Sequence, residues 1–224
     1  LTGTVGNKAL YEAITNDVVT GRNEKGTVNI TSQSGSLIQS GGALYGANIN
    51  LSAAKDMTDI TVIAGDTVNL SAVNSMSNQN AIAQNSIDVT VKGAYLAKGN
   101  VVLGNLGSVV TNNNANSVPV NASEVKTTGV TGLVKITTTG SEGNISQNTG
   151  SLIVSDRIDL NTNNGSIYGQ KNSDGSVTAL NLYAGQQPLG LDTMDASVNA
   201  AAKGDIKLAQ VDGKMRIGRI YSTE

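Results

Sequence analysis

The chain contains no cysteine, histidine, tryptophan or phenylalanine, and it has only two prolines. Without cysteine and histidine, the sequence lacks the residues that most often serve as base and thiol nucleophile in hydrolytic enzymes and as zinc ligands. The lack of cysteine also excludes disulfides. This fits a chain that crosses a periplasm unfolded, and it fits chance in a cysteine-poor sequence equally well. We expect no enzyme, no catalytic residues, no cofactor and no bound metal.

Charge is also sparse, at 14% of the 224 residues, and the net charge is −2. Such a chain presents no positive field for nucleic acid. Its 38% hydrophobic content is too high for a disordered protein. No apolar run reaches about 18 residues, so no membrane-spanning segment is predicted. The chain has no signal-peptide pattern and begins with Leu1 rather than methionine, so we interpret it as a segment of a longer protein.

Glycine, asparagine, serine, threonine and valine are abundant, a composition that favours strands and turns over helices. Apolar and polar residues alternate in many short stretches, such as 68–70 and 158–160, which predicts half-buried strands. One phrase occurs three times, as GSLIQ at 35–39, GNISQ at 143–147 and GSIYGQ at 165–170. Repetition at about 20–50 residues is typical of stacked-repeat architectures.

Three short apolar pieces in each stretch of roughly 20 residues predict an all-β fold, a three-sided parallel β-helix of about ten coils. A sandwich built from hairpins is the alternative, although it would need more frequent hairpin turns and large core aromatics. The β-helix interpretation places one set of aliphatic side chains inside: Ile145, Leu152, Ile158, Leu160, Ile167, Leu180 and Leu182.

The whole chain, 1–224, is interpreted as one β-helix segment, less regular over 1–25. Three stretches interrupt the strand pattern, at 74–85, 111–131 and 186–203. Solenoids carry insertions as loops on their outside, and recognition often occurs on loops held by a rigid scaffold. We therefore predict these three stretches to be loops and candidates for partner contact.

The stretches AGDTVNLSA (64–72) and KGDIKLA (203–209), together with the run 143–170, resemble the repeats of filamentous haemagglutinin-like exoproteins. The resemblance extends over about residues 26–220. It implies a right-handed β-helix, secretion across the outer membrane through a dedicated partner pore, and a long surface filament. Members of this family are mostly adhesins, and some are haemolysins or leukotoxins.

Two compact groups of acids were considered as catalytic candidates, because some β-helices cleave polysaccharides with carboxylates gathered on one face. The first group pairs Asp56 with Asp59, and the second combines Asp156 and Arg157 with Asp159. Asp159 lies in the middle of a predicted strand, on its outer side. Solvated outer-face residues are the simpler interpretation of both groups.

Three further motifs have structural and functional interpretations. The tripeptide Lys203-Gly204-Asp205 resembles a minimal integrin-recognition sequence, but a similar Gly-Asp pair at 65–66 simply leads into a strand. Glycosylation sequons begin at Asn29, Asn50, Asn69, Asn121 and Asn144, and four of them coincide with the strand pattern. Basic residues near the end form either a charged outer face or a patch for acidic glycans: Lys203, Lys207, Lys214, Arg216 and Arg219.

The sequence and the resemblance together predict a structural and binding segment of a large secreted bacterial surface filament that mediates adhesion to host cells. A scaffold segment of a secreted leukotoxin or haemolysin is the second hypothesis, and a polysaccharide lyase or glycosidase is the third. The expected partners are a host-cell receptor or glycan and the outer-membrane secretion pore of the parent protein. The expected location is the cell surface or the medium.

Overall fold

A computed structural model of the protein describes residues 26–83, 85–92, 99–108, 132–184, 198–211 and 214–224. Within these ranges the regular structure is entirely β, with sixteen strands in a single sheet. The strands are β1 (Thr27–Ser32), β2 (Leu37–Ile38), β3 (Leu44–Ala53), β4 (Met57–Thr58), β5 (Thr61–Ala72), β6 (Met76–Ala83), β7 (Ser86–Val91), β8 (Val101–Ser108), β9 (Leu133–Thr138), β10 (Ile145–Gln147), β11 (Ile153–Ser155), β12 (Arg157–Thr162), β13 (Leu180–Ala184), β14 (Val198–Ala202), β15 (Leu208–Gln210) and β16 (Ile217–Ser222).

Every pairing between these sixteen strands is parallel. Among the described residues, antiparallel pairing is confined to the isolated bridge between Lys171 and Val177. Parallel strands cannot be joined by short hairpins. The prediction of parallel stacking is confirmed, and the alternative of a hairpin sandwich is wrong.

The parallel pairings form three ladders, which we call A, B and C. Ladder A contains β1, residues 48–53 of β3, residues 67–72 of β5, and then β7, β9, β12, β14 and β16. Ladder B joins β2, β4, the start of β6, the start of β8, and β10. Ladder C joins the first parts of β3 and β5 to the ends of β6 and β8, and then β11, β13 and β15.

Neighbouring strands of ladder A are separated by unequal lengths of chain. The facing residues Asn29 and Asn50 are 21 positions apart, and Asn50 and Asn69 are 19 apart. The corresponding separations rise to 47 between Asp88 and Lys135 and 40 between Asp159 and Asn199. Ladder A has eight strands in the described residues. The two long separations include the stretches 111–131 and 186–197, whereas the first two are close to the predicted period of roughly 20 residues.

In strands with alternating burial, the aliphatic core lies on one side of the strand. In β12, for example, buried and more exposed residues alternate, and the other face carries polar side chains. All seven side chains predicted to point inward are buried, with at most 5% of their surface exposed. Burying each of them stabilises the fold by roughly 1.5–3 kcal/mol. The predicted division into inner and outer positions is therefore confirmed at these sites.

The prediction of a loop at 74–85 is wrong, because Met76–Ala83 form β6. Met76, Gln79, Ala81 and Ala83 are buried, so alanine and an amide side chain occupy core positions in a stretch whose polar composition resembles a loop. Of the stretch 186–203, residues 198–202 form β14 rather than a loop, and 186–197 lie outside the described residues. The stretches 1–25 and 111–131 also lie outside them.

Two copies of the repeated phrase, at 143–147 and 165–170, stack where the chain passes from ladder A to ladder B. A Cβ on Gly165 would come within 2.6 Å of the backbone of Gly143 and 2.7 Å of the backbone nitrogen of Asn144. A Cβ on Gly204 would meet the Ser166 hydroxyl at 2.4 Å. Backbones that approach this closely leave no room for a side chain. Gly165 is therefore required by its stacking on the neighbouring copy of the phrase at 143–147.

In two of the three copies the final glutamine, Gln39 or Gln147, is buried and satisfies backbone groups, whereas Gln170 of the third copy is exposed. The side chain of Gln147 donates to the carbonyl of Asn181 at 3.2 Å and accepts from the amide of the same residue at 2.9 Å. Gln39 similarly donates to the carbonyl of Gly42 and accepts from the amide of Thr61. These buried amides therefore join adjacent repeats.

Candidate functional site

Eight polar side chains occupy one outward register position along ladder A, a feature we call the polar column. Adjacent members are direct partners in the parallel pairing of their strands. In ladder order the polar column contains Asn29, Asn50, Asn69, Asp88, Lys135, Asp159, Asn199 and Arg219.

The first part of the polar column is a stack of asparagine amides. Asn50 donates to the side-chain oxygen of Asn29 at 2.8 Å, and Asn69 donates to that of Asn50 at the same distance. The sequon residues Asn50 and Asn69 therefore use their amide nitrogens within the stack. Asn144 donates to the side chain of Asn100 and accepts from the amide of Ser166. The sequon residue Asn121 lies outside the described part.

The second part of the polar column is charged. Lys135 forms an ion pair of 3.3 Å with Asp88, and the guanidinium of Arg157 makes a two-bond contact with Asp159, at 2.7 and 3.3 Å. Asn199 donates to the same carboxylate at 2.7 Å. Burial raises the pKa of Asp159, but the bonds from Arg157 and Asn199 and the charges of Arg157 and Lys135 outweigh it, so the pKa lies below its ordinary value.

The acids singled out in the sequence do not converge on one site. Asp59 sits in a turn before β5, with φ of 55°, and it accepts a 2.6 Å hydrogen bond from Asn78. Asp56 accepts from the Ser36 hydroxyl at 3.4 Å. Asp159 belongs instead to ladder A, where Arg157 and Asn199 bind its carboxylate. Among the described residues, no group of three acidic, histidine or cysteine side chains could hold a metal ion.

A hollow of about 320 Å³ opens at the last strands of ladder A, and we call it the Ala201 pocket. Beside the polar column, a second outward register position runs through Thr137, Asn161, Ala201 and Tyr221. Because Ala201 has only a methyl side chain, space remains between Asn161 and Tyr221. The pocket is lined by Lys135, Thr137, Asp159, Leu160, Asn161, Asn199, Ala200, Ala201, Arg219 and Tyr221.

An irregularity in β16 determines which of its side chains reach this pocket. The register shifts between β14 and β16, so that Val198 pairs with Ile217 while Asn199 pairs with Arg219. The extra residue is Gly218. Such a bulge reverses the facing of the residues that follow it. The bulge therefore aligns Arg219 with the polar column, and Tyr221 with the position beside it.

Arg219 and Tyr221 form a stacked pair at the edge of the pocket. The guanidinium carbon of Arg219 lies 4.3 Å from the centroid of the Tyr221 ring. Within the described residues, this guanidinium has no carboxylate in ion-pair distance. The sequence indicates Arg219 only as one of five basic residues near the end of the chain, and no sequence pattern singles out Tyr221.

The other motifs occupy ordinary structural positions. Lys203-Gly204-Asp205 forms the turn after β14, in which the carbonyl of Asp205 accepts from the amide of Ile167 and Lys203 lies 4.0 Å from Glu224. Lys203, Lys207 and Lys214 are exposed and do not line the Ala201 pocket. Of the five basic residues near the end of the chain, Arg219 is the one that lines the Ala201 pocket.

Comparison with protein-family models, with curated proteins and with solved structures yields no match to this chain. A search of the described residues for a helix both long and apolar enough to cross a membrane also returns none.

Proposed function

We propose that the three ladders wind as a right-handed parallel β-helix, and that this rod is a structural and binding segment of a large bacterial surface filament mediating adhesion to host cells. The parent protein would leave the cell through an outer-membrane partner pore. It would then act at the cell surface or in the medium, where its partner is a host receptor or glycan.

The order in which the chain visits the ladders supports the β-helix. After β12 in ladder A, the chain reaches Ile167, which bridges Ile145 of ladder B, and then β13 in ladder C. The next strand, β14, is again in ladder A, beside β12. A chain that repeatedly passes A, B and C and returns one strand further along advances as a solenoid. The handedness comes from the resemblance to haemagglutinin-like exoproteins.

The observation that carries the adhesion proposal is the polar column, which presents amides and charges along eight successive strands of one face. A rigid solenoid face of this kind is suited to extended contact with a partner surface. The polar contacts of the candidate acids give no support to that third hypothesis, because Asp59 accepts a hydrogen bond from Asn78 and the carboxylate of Asp159 is held by Arg157 and Asn199. A toxin scaffold would have the same rod as an adhesive segment, and the two functions would differ only in their effect on cells.

Three assays of the purified segment separate these functions. We expect saturable binding to cultured epithelial cells, no lysis of erythrocytes or leukocytes, and no cleavage of uronate or neutral polysaccharides. Lysis by the segment would favour the toxin. Polysaccharide cleavage that disappears in Asp156→Ala or Asp159→Ala would establish the enzyme and exclude the adhesion proposal. The absence of cell binding would also exclude the adhesion proposal.

The stretches 111–131 and 186–197 remain proposed contact loops. Shortening either one should reduce cell binding without lowering the melting temperature if it touches the partner. Equal binding by both shortened variants would assign recognition to the strand faces or to another part of the parent protein. The stretch 74–85 is no longer a candidate loop, because it contains β6.

A further inference from the structure

We propose that the Ala201 pocket binds a carboxylated sugar, with Arg219 as the residue that holds the carboxylate. This inference rests on the proposed adhesive function, for which it names a ligand class. The pocket's volume of about 320 Å³ is at the lower end of the range of about 300–1,000 Å³ that is typical of small-molecule sites. It therefore suits one or two sugar units.

The charges around the pocket favour an anionic ligand. Lys135 is neutralised by Asp88, and Arg157 is neutralised by Asp159. Arg219 is left as a lining cation whose guanidinium has no carboxylate partner in the described residues. A planar guanidinium matches a carboxylate through two parallel hydrogen bonds. A ligand carboxylate would supply the partner that the protein does not.

Stacking on Tyr221 prepares Arg219 for this contact. With its guanidinium carbon 4.3 Å from the ring centroid, the planar group rests on the aromatic face. Arginine can stack on an aromatic ring while its N–H edge remains available for hydrogen bonds. The contact restricts the long side chain before a ligand arrives, which reduces the entropy lost on binding.

The remaining wall of the pocket matches sugar hydroxyls. Asn161 and Thr137 line it with an amide and a hydroxyl, groups that both donate and accept hydrogen bonds. Ala201 lies between Asn161 and Tyr221 in the same register position and leaves the space open. The pocket therefore offers a guanidinium to a carboxylate on one side and neutral hydrogen-bonding groups to hydroxyls on the other. This combination matches a uronate-type sugar better than a simple anion.

Titration calorimetry on the full chain tests the proposal with digalacturonate, its neutral counterpart digalactose, and acetate. We expect digalacturonate to bind at least about tenfold more tightly than digalactose, because the ligand carboxylate can accept two charge-assisted hydrogen bonds from Arg219. We expect acetate at the same concentration not to compete. Absence of digalacturonate binding, or equal binding of digalactose, would overturn the proposal. Effective competition by acetate would overturn the sugar specificity.

Two pocket variants and one matched control locate the site. Arg219→Gln should weaken digalacturonate binding at least about tenfold. Ala201→Leu should abolish binding, since the larger side chain fills the space. Lys207→Gln removes an exposed cation that does not line the pocket, and it should bind as the unaltered chain does. If Lys207→Gln weakens binding as much as Arg219→Gln, the attraction is nonspecific and the proposal is wrong.

Circular dichroism melting of each variant separates lost binding from lost folding. Arg219 is exposed in β16, so Arg219→Gln should still fold. If Ala201→Leu does not fold, Arg219→Gln alone tests the proposal. The cell-binding assay distinguishes the two proposals. Sugar binding without cell binding would exclude adhesion alone, whereas cell binding without sugar binding would exclude the pocket alone.

Discussion

The side-chain amide of Asn199 donates a 2.7 Å hydrogen bond to the carboxylate of Asp159, although 40 positions separate the two residues. Their strands, β12 and β14, pair in parallel with Ile158 opposite Val198 and Leu160 opposite Ala200. These inner pairs fix the register, because a slip of one residue would turn the aliphatic side chains outward. The polar column is therefore continuous, although a long stretch of chain separates the two strands.

Replacing Leu160 with alanine should destabilise the protein by about 2–5 kcal/mol, since the side chain is 2% exposed in the aliphatic core. Asn161→Ala is the matched control on the same strand, and as an exposed position it should change stability by no more than about 0.5 kcal/mol. Urea denaturation followed by circular dichroism measures both. Equal midpoints for the two variants would contradict the inner and outer assignment of β12.

Gly165→Ala should be strongly destabilising, because the new methyl group would lie 2.6 Å from the Gly143 backbone. Backbone cannot yield as a flexible side chain can, so the stacked repeats would have to separate. Gly35→Ala is the control from another copy of the repeated phrase. A Cβ there meets only the Ser32 hydroxyl, at an ordinary 3.4 Å. Thermal melting should show a large decrease for Gly165→Ala alone, and similar decreases for both would disprove the stacking explanation.

Stability should fall in acid partly through Asp159. Its pKa is lowered in the folded protein, while an unfolded aspartate titrates near about 3.9. A lowered pKa stabilises the fold above the unfolded value, and this contribution is lost as the pH falls through the folded pKa. Asp159→Asn should therefore be less stable than the unaltered chain at pH 7, and its melting temperature should decrease less between pH 5 and pH 2.

Arg157→Gln provides the matched test of the cause, because it removes the ion pair but keeps the carboxylate. The pKa of Asp159 should then rise toward its ordinary value, and the acid-dependent loss should become smaller as well. Melting temperatures measured at intervals between pH 5 and pH 2 test this expectation. Acid profiles of both variants parallel to that of the unaltered chain would show that the Asp159 contacts do not contribute.

Gln147→Leu keeps the size of a buried side chain but removes both hydrogen bonds to Asn181. The two backbone groups would then lack their partner, at a cost of about 1–3 kcal/mol for each buried group left unsatisfied. Gln33→Leu, at an exposed position, is the control and should have little effect. Urea midpoints measure the difference. A neutral Gln147→Leu would mean that apolar packing alone is sufficient at this position.

The sequence by itself determined the strand class and the inner positions. Alternation in stretches such as 158–160 identified Ile158 and Leu160 as core residues, since the side-chain period of a strand is two and one face must be buried. Two copies of the repeated phrase also lie side by side, since Ile145 and Ile167 form a parallel bridge. Within the candidate site, the outward position of Asp159 and the neighbouring Arg157 could be predicted from the same alternation.

Only the tertiary structure decided the features that depend on neighbours distant in sequence. The polar stretch 74–85 contains β6 because alanine and glutamine fill its core positions. The bulge at Gly218 sets the facing of Arg219 and Tyr221, and β16 reveals it only through its register with β14. The Ala201 pocket is likewise formed by residues from separate strands. Alternation specifies which face of one strand is buried, whereas register between strands depends on packing that no local pattern contains.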